Sequence, residues 1–233
     1  MDLERRRDIF IRKLRGIGID LSSKELKHIE RCFELLGEAL RKIDVNFVPG
    51  HDVEHMIRVA EIAIYLQRKH GGNFVKILLA ALLHDIMRHK PNHSLESAKF
   101  VRKFLGETEF RSIADDVARI IEEHSYSISR NPSSIESMIL RDADRLDALG
   151  AIGIARVFSY SSYLGREFYD FEKPTEGGAL AHFFKKILNL PKTMCTDTAK
   201  RIASKRVEFV RKFINIFLDE LNLRDLEGGP NEY

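Results

Sequence analysis

Apolar residues recur at three- and four-residue intervals along almost the whole chain, the pattern of amphipathic helices. The periodicity predicts helices at about 2–15, 24–45, 53–69, 73–87, 93–105, 110–125, 134–148, 150–163, 179–190 and 196–223. Ser22 followed three residues on by Glu25 is a capping-box pattern at the start of the second helix. The segment 46–50 punctuates the approach to the third, and 127–134 is a polar loop directly after His124. The stretch 164–178, rich in aromatics, Gly and Pro, suits a short hairpin or a lid over a site. No alternating, β-branched strand series occurs, so the expected class is all-α.

One segment breaks the amphipathic pattern. Residues 74–83 carry a single charge, Lys76, and read as a helix buried on all sides. This helix runs directly into His84 and Asp85. A carboxylate at a helix C-terminus faces the negative end of the helix dipole, at a cost of about 0.3–1 kcal/mol. A bound cation reverses that sign. Other metal-competent side chains flank the pair: His51 and His55, four apart and so on one helical face, and a run of acids at Asp142, Asp144 and Asp147. Two imidazoles and two carboxylates drawn from His55, His84, Asp85 and Asp144 make a mixed N/O set. Such a set suits Mn, Fe, Co or Mg, with positions left for water and substrate. Structural zinc prefers closed, thiolate-rich sites.

The order His55, His84-Asp85, Asp144 resembles the H…HD…D signature of the HD-domain metal-dependent phosphohydrolase superfamily. The strings at 51–59, 82–86, 123–127 and 142–156 are similar to the small, stand-alone HD hydrolases of bacteria and archaea, and the likeness runs from about residue 50 to about 222. The resemblance implies an HD-like helical bundle at 49–223, an extra N-terminal helical pair at 1–48 packed on or beside it, and a flexible tail at 224–233. It implies a divalent ion (Mn, Mg, Co, Ni, Fe or Zn), one or two per chain, on His55, His84, Asp85 and Asp144. It favours His55 over His51 and Asp144 over Asp142 or Asp147, because those positions carry the family's register. His51 is left as a supporting group or a ligand of a second ion. His124 and His93 fall where binuclear members place further histidines, and either suits proton transfer or phosphate contact, since imidazole titrates near neutrality.

Arg58, Arg88 and Arg145 surround these positions, and a guanidinium fork matches phosphate oxygens. The expected substrate is therefore a small phosphorylated molecule, a nucleotide first, cleaved as a monophosphate ester or between the α- and β-phosphates. The alternatives are phosphodiester cleavage, a metal- and nucleotide-binding regulatory module, and a di-iron oxygenase. Ile86, Met87 and Arg88 after the HD pair depart from the Gly-Lys of cyclic-dinucleotide phosphodiesterases. The paired acids of alarmone hydrolases are missing there too, so the motif names no catalytic base. Lys185, Lys186, Lys200, Arg201 and Lys205 read as solvated helical faces.

Composition narrows the surroundings. The 233 residues are 44% hydrophobic and 31% charged, as in an ordinary globular protein. The net charge of +3 is too small to suggest nucleic acid, and no run is long and apolar enough for a membrane helix. Met1 to Asp8 alternates charge without a signal-peptide core. Cys32 and Cys195 read as separate buried thiols. Together these suggest a cytoplasmic protein, with a homo-oligomer left open.

Overall fold

A computed structural model describes residues 2–43, 48–125 and 131–227. Among them are ten α-helices and no strand beyond one isolated bridge between Val48 and His51. The helices are α1 (Leu3–Gly16), α2 (Ser23–Arg41), α3 (Val53–His70), α4 (Phe74–Leu83), α5 (His93–Gly106), α6 (Ala114–His124), α7 (Ile135–Asp147), α8 (Gly150–Tyr163), α9 (Gly178–Lys185) and α10 (Asp197–Leu221). The all-α expectation holds. No helix among the described residues is long and apolar enough to cross a membrane. Cys32 is buried and Cys195 half-buried, both as free thiols.

The bundle is organised around α4. Every residue from Ile77 to Leu83 is fully buried, because α2, α3, α6 and α7 all pack on this helix. Side-chain caps start the elements that carry the motif. Asn73 accepts from the N–H of Lys76 at the head of α4, and Asp52 from that of His55 at the head of α3. The capping box of α2 forms between Ser22 and Glu25. The N-terminal pair packs on the bundle, α1 against α2 and α3 and α2 against α4. The salt bridges Arg6–Glu54 and Lys13–Glu61 join α1 to α3.

Several expected elements differ: the second helix ends at Arg41 rather than 45, and the sixth starts at Ala114 after a 3-10 turn at Arg111–Ile113. The fourth helix ends at Leu83 rather than 87, because three-residue turns replace the helical ladder: Ile86 N–H donates to Leu83, Arg88 to Asp85 and Lys90 to Met87. The ninth stops at Lys185, and 187–193 follows as a 3-10 helix containing Pro191. Proline has no N–H to give an α-helix and its ring clashes with the carbonyl four residues back. The stretch 164–178 forms turns, not a hairpin. Its carbonyls at Glu167 and Phe168 are spent on the N–H groups of Ala179 and Leu180, which open α9. Residues 44–47, 126–130 and 228–233 lie outside the described residues, so the segment at 46–50, the loop at 127–134 and the tail at 224–233 are described only in part.

Candidate metal centre and phosphate cavity

The ends of α3, α4, α6 and α7 meet at one point. His55 stands on the first turn of α3, His84 and Asp85 just past α4, His124 at the last residue of α6, and Asp144 on α7. His55, His84 and His124 are buried, and Asp85 is 5% exposed. Asp144 is half-open.

The hydrogen bonds determine which ring nitrogen of each histidine faces inward. His84 Nδ1 lies 2.9 Å from the Ala81 carbonyl oxygen, and His124 Nδ1 is likewise bonded to that of Ile121. A carbonyl only accepts, so each Nδ1 carries hydrogen and donates. The Nε2 lone pair of each neutral ring is then left to face the site. His84 Nε2 and His55 Nε2 lie 3.2 Å apart. Two bare nitrogens at that distance repel unless a proton or a cation lies between them.

The carboxylates complete the set. His55 Nε2 is 3.4 Å from Asp144 Oδ1 and 3.6 Å from Asp85 Oδ2, while His84 Nε2 is 4.0 Å and 3.9 Å from the same atoms. Ligands about 2.1 Å from one octahedral ion would lie about 3.0 Å apart when adjacent and about 4.2 Å apart when opposed. The observed separations fall in that range. The groups His55–His84–Asp144, His84–Asp85–His124 and His51–His55–Asp85 each bring ligand atoms within 4.8 Å of one another. The buried Asp85 Oδ1 has no hydrogen-bond partner among the described residues, which an ion or its water would relieve. The donor set therefore fits a divalent ion on His55, His84, Asp85 and Asp144.

Protonation tendencies agree with that reading. Burial pushes His84 down to about 4, so it is neutral at neutral pH. Burial likewise lowers His124 and His93, and takes His51 to about 3 despite its contact with Asp85. Burial opposes charge on His55 too, but there Asp144 and Asp147 outweigh it and hold the ring above its ordinary value. Asp85 and Asp144 stay well below the usual carboxylate range, against burial, because the histidines around them favour their charged forms. A proton on His55 Nε2 and a cation at the same point are alternatives. As pH falls below the raised value of His55, metal affinity should drop by about tenfold per unit. Isothermal titration of Mn2+ between pH 8 and 5.5 checks this, and a flat affinity would refute it.

The remaining expected residues divide. His51 lines the cavity next to this cluster, its Nδ1 2.8 Å from Asp85 Oδ2. His93, the first residue of α5, also lines it, 3.5 Å from Asp85 Oδ1 and accepting from Arg88 at 2.8 Å. Arg88 faces the same space. Arg58 and Arg145, expected at the phosphate, do not. The flank of α3 that carries Arg58 packs on α7, so its guanidinium forks onto Asp147. Arg145 donates to the Thr193 carbonyl. Asp142 is fully buried and accepts from the N–H groups of Cys195 and Thr196, ahead of α10.

Four residues take places at the site that the sequence pattern did not give them: Asp147, Arg156, Arg166 and Lys186. Asp147 lies 2.8 Å from His55 Nδ1, and its three-residue spacing from Asp144 was the available signal. Arg156 and Lys186 line the cavity, with Arg166 nearer solvent, so Lys186 is not on a solvated face. The cavity has a volume of about 230 Å3 and, among the described residues, sets four cations, Arg88, Arg156, Arg166 and Lys186, against two acids, Asp85 and Asp144. Burial pushes the Lys186 ammonium below its ordinary value. Arg88, Arg156 and Arg145 push it the same way, and an anion in the cavity would offset their repulsion.

Residues 52–149 match the HD domain family model. YpgQ of Bacillus subtilis (strain 168) is 34% identical over 199 residues, 82% of this chain and 92% of YpgQ. The chain belongs to the HD-domain phosphohydrolase superfamily. An HD-superfamily hydrolase of Bacillus thuringiensis has a similar structure: TM-score 0.63, 34% identity, 84% of this chain and 98% of that one covered. A Lactobacillus plantarum protein aligns with TM-score 0.70 at 29% identity, over 88% of this chain and all of its own. The structure of YpgQ in complex with ADP aligns with TM-score 0.63 at 32% identity, over 86% of this chain and 97% of YpgQ. HD domains bind divalent metals, and this HD domain has His/Asp groups able to hold one. Of the four cavity cations, Arg156, Arg166 and Lys186 lie beyond the matched segment.

Proposed function

We propose that this chain is a metal-dependent phosphohydrolase acting on a nucleotide or another small phosphorylated metabolite. The observation that carries the proposal is the convergence of the inward Nε2 atoms of His55 and His84 with Asp85 and Asp144 beside a cavity walled by Arg88, Arg156, Arg166 and Lys186. The ADP complex of YpgQ supports a nucleotide in particular. A divalent ion held by His55, His84, Asp85 and Asp144 would supply Lewis acidity and a bound water whose pKa is lowered to about 7. Arg88, Arg156 and Lys186 neutralise phosphate oxygens and orient the phosphorus for in-line attack. His124 and His93, both held neutral by burial, take up or deliver protons at the reacting oxygens. In this reading the N-terminal pair at 1–48 is an appendage of an HD unit spanning 49–223.

The test is turnover. Purified protein is incubated with nucleoside mono-, di- and triphosphates and simple phosphoesters under Mg, Mn, Co or Ni, with phosphate and pyrophosphate assayed separately. Metal-dependent release is the expected result, and the anion released names the bond cleaved. Absence of turnover with every metal, in protein that has bound metal, refutes the hydrolase reading.

A further inference from the structure

His55 differs from the other two inward histidines in what holds it. His84 and His124 donate from Nδ1 to neutral carbonyls one helical turn back, whereas His55 Nδ1 meets a carboxylate, Asp147 Oδ2, at 2.8 Å. That carboxylate is itself clamped from two sides. Arg58 of α3 forks onto it, Nε to Oδ1 at 2.8 Å and Nη2 to Oδ2 at 3.0 Å. Arg156 of α8 adds Nη1 to Oδ2 at 3.0 Å. Asp147 is only 2% exposed, so the arrangement is sheltered from solvent screening. A carboxylate held ionised by two guanidiniums obliges the facing imidazole nitrogen to carry hydrogen. Nε2 of His55 is thereby aimed at His84, Asp85 and Asp144.

The two arginines are not equivalent. Arg58 is bonded to both oxygens of Asp147 and does not line the cavity. Arg156 does line it, donates from Nε to the Gly50 carbonyl at 2.7 Å, and brings Nη2 within 3.3 Å of His51 Nδ1. It ties the segment ahead of α3 to α7 and α8 while presenting charge to the substrate space.

We infer that Asp147, Arg58 and Arg156 form a positioning unit that fixes the tautomer and direction of His55 and so sets how tightly the ion is held. Arg58 acts only through Asp147, whereas Arg156 also contacts the anionic substrate. The inference rests on reading these residues as a metal site, and its first measurement needs no turnover.

Metal-stripped protein is titrated with Mn2+ alone, free Mn2+ being followed by electron paramagnetic resonance. Asp147→Asn, nearly isosteric, should weaken Mn2+ binding about 10- to 100-fold. Arg58→Lys, which keeps the charge but loses the fork, should show a smaller loss in the same direction. Thermal unfolding of each metal-free variant identifies those that fold, and Arg58→Lys carries the test if Asp147→Asn does not. At saturating Mn2+, Arg58→Lys should keep the parent KM, whereas Arg156→Lys should raise it. Folded Asp147→Asn binding Mn2+ within twofold of the parent would overturn the positioning role. A raised KM for Arg58→Lys at saturating metal would overturn the division of labour. Should no substrate be turned over, the Mn2+ titration still decides the positioning role independently of the hydrolase reading.

Discussion

Asp85→Ala removes turnover by at least about a hundredfold, since losing even a supporting partner of a metal ligand costs 10- to 100-fold. The same substitution leaves the metal-free protein no less stable. Asp85 Oδ2 lies between His51, His55 and His84, and Oδ1 is buried without a hydrogen-bond partner among the described residues. A buried acceptor left unbonded costs about 1–3 kcal/mol, and alanine removes that cost along with the charge. The carboxylate is kept ionised against burial by His84, His51 and Arg88, so it is a strong anion where a cation would sit. Activity and Mn2+ affinity should therefore fall together while the melting temperature of metal-free protein is unchanged or higher. A parallel fall in melting temperature would show that Asp85 supports the fold rather than an ion.

Gly153→Ala lowers stability by about 3 kcal/mol, the upper end of overpacking costs, and so lowers Tm by about 6–12 °C for a chain of this size. The chain reverses between α7 and α8 at Gly150, whose φ of +74° is a backbone state that side chains other than glycine rarely adopt. One turn on, a Cβ on Gly153 would lie 2.2 Å from the Ala148 carbonyl oxygen and 2.4 Å from its carbon. Those are backbone atoms of the reversal itself and have no rotamer through which to yield. Relief requires α8 to shift, and α8 carries Arg156, whose contacts reach Gly50, His51 and Asp147. KM should rise alongside the loss of stability. A folded variant with parental Tm and KM would show that α8 adjusts without moving its arginine.

The core of this fold was legible in sequence at α4. Ten residues with one charge have no polar face to offer solvent, so the segment had to be enclosed, and the structure encloses it between α2, α3, α6 and α7. Caps were legible where a short polar side chain precedes a helix, as at Ser22. The end of α4 was not, because whether a backbone continues with four-residue or three-residue bonds depends on what its next side chains must reach. At the candidate metal site, residue type and order together with the family's register pointed to His55, His84, Asp85 and Asp144, and the structure brings these four together.

The arginines show the boundary most clearly. Arg58 stands three residues after His55, a spacing that puts the two on neighbouring flanks of α3, and both meet Asp147. Which partner it meets there was decided by α7 packing on α3, which delivers Asp147 to both residues. Arg156 and Lys186 reach the cavity from α8 and from the turn after α9, far along the chain from His55. By itself, the sequence determined the helices, the enclosed α4, and the side chains that suit an ion, because these follow from local periodicity and from the chemistry of each residue. The tertiary structure alone decided which cations face the cavity and which are turned inward, because a helix's periodicity defines its faces but not the neighbour each face will meet.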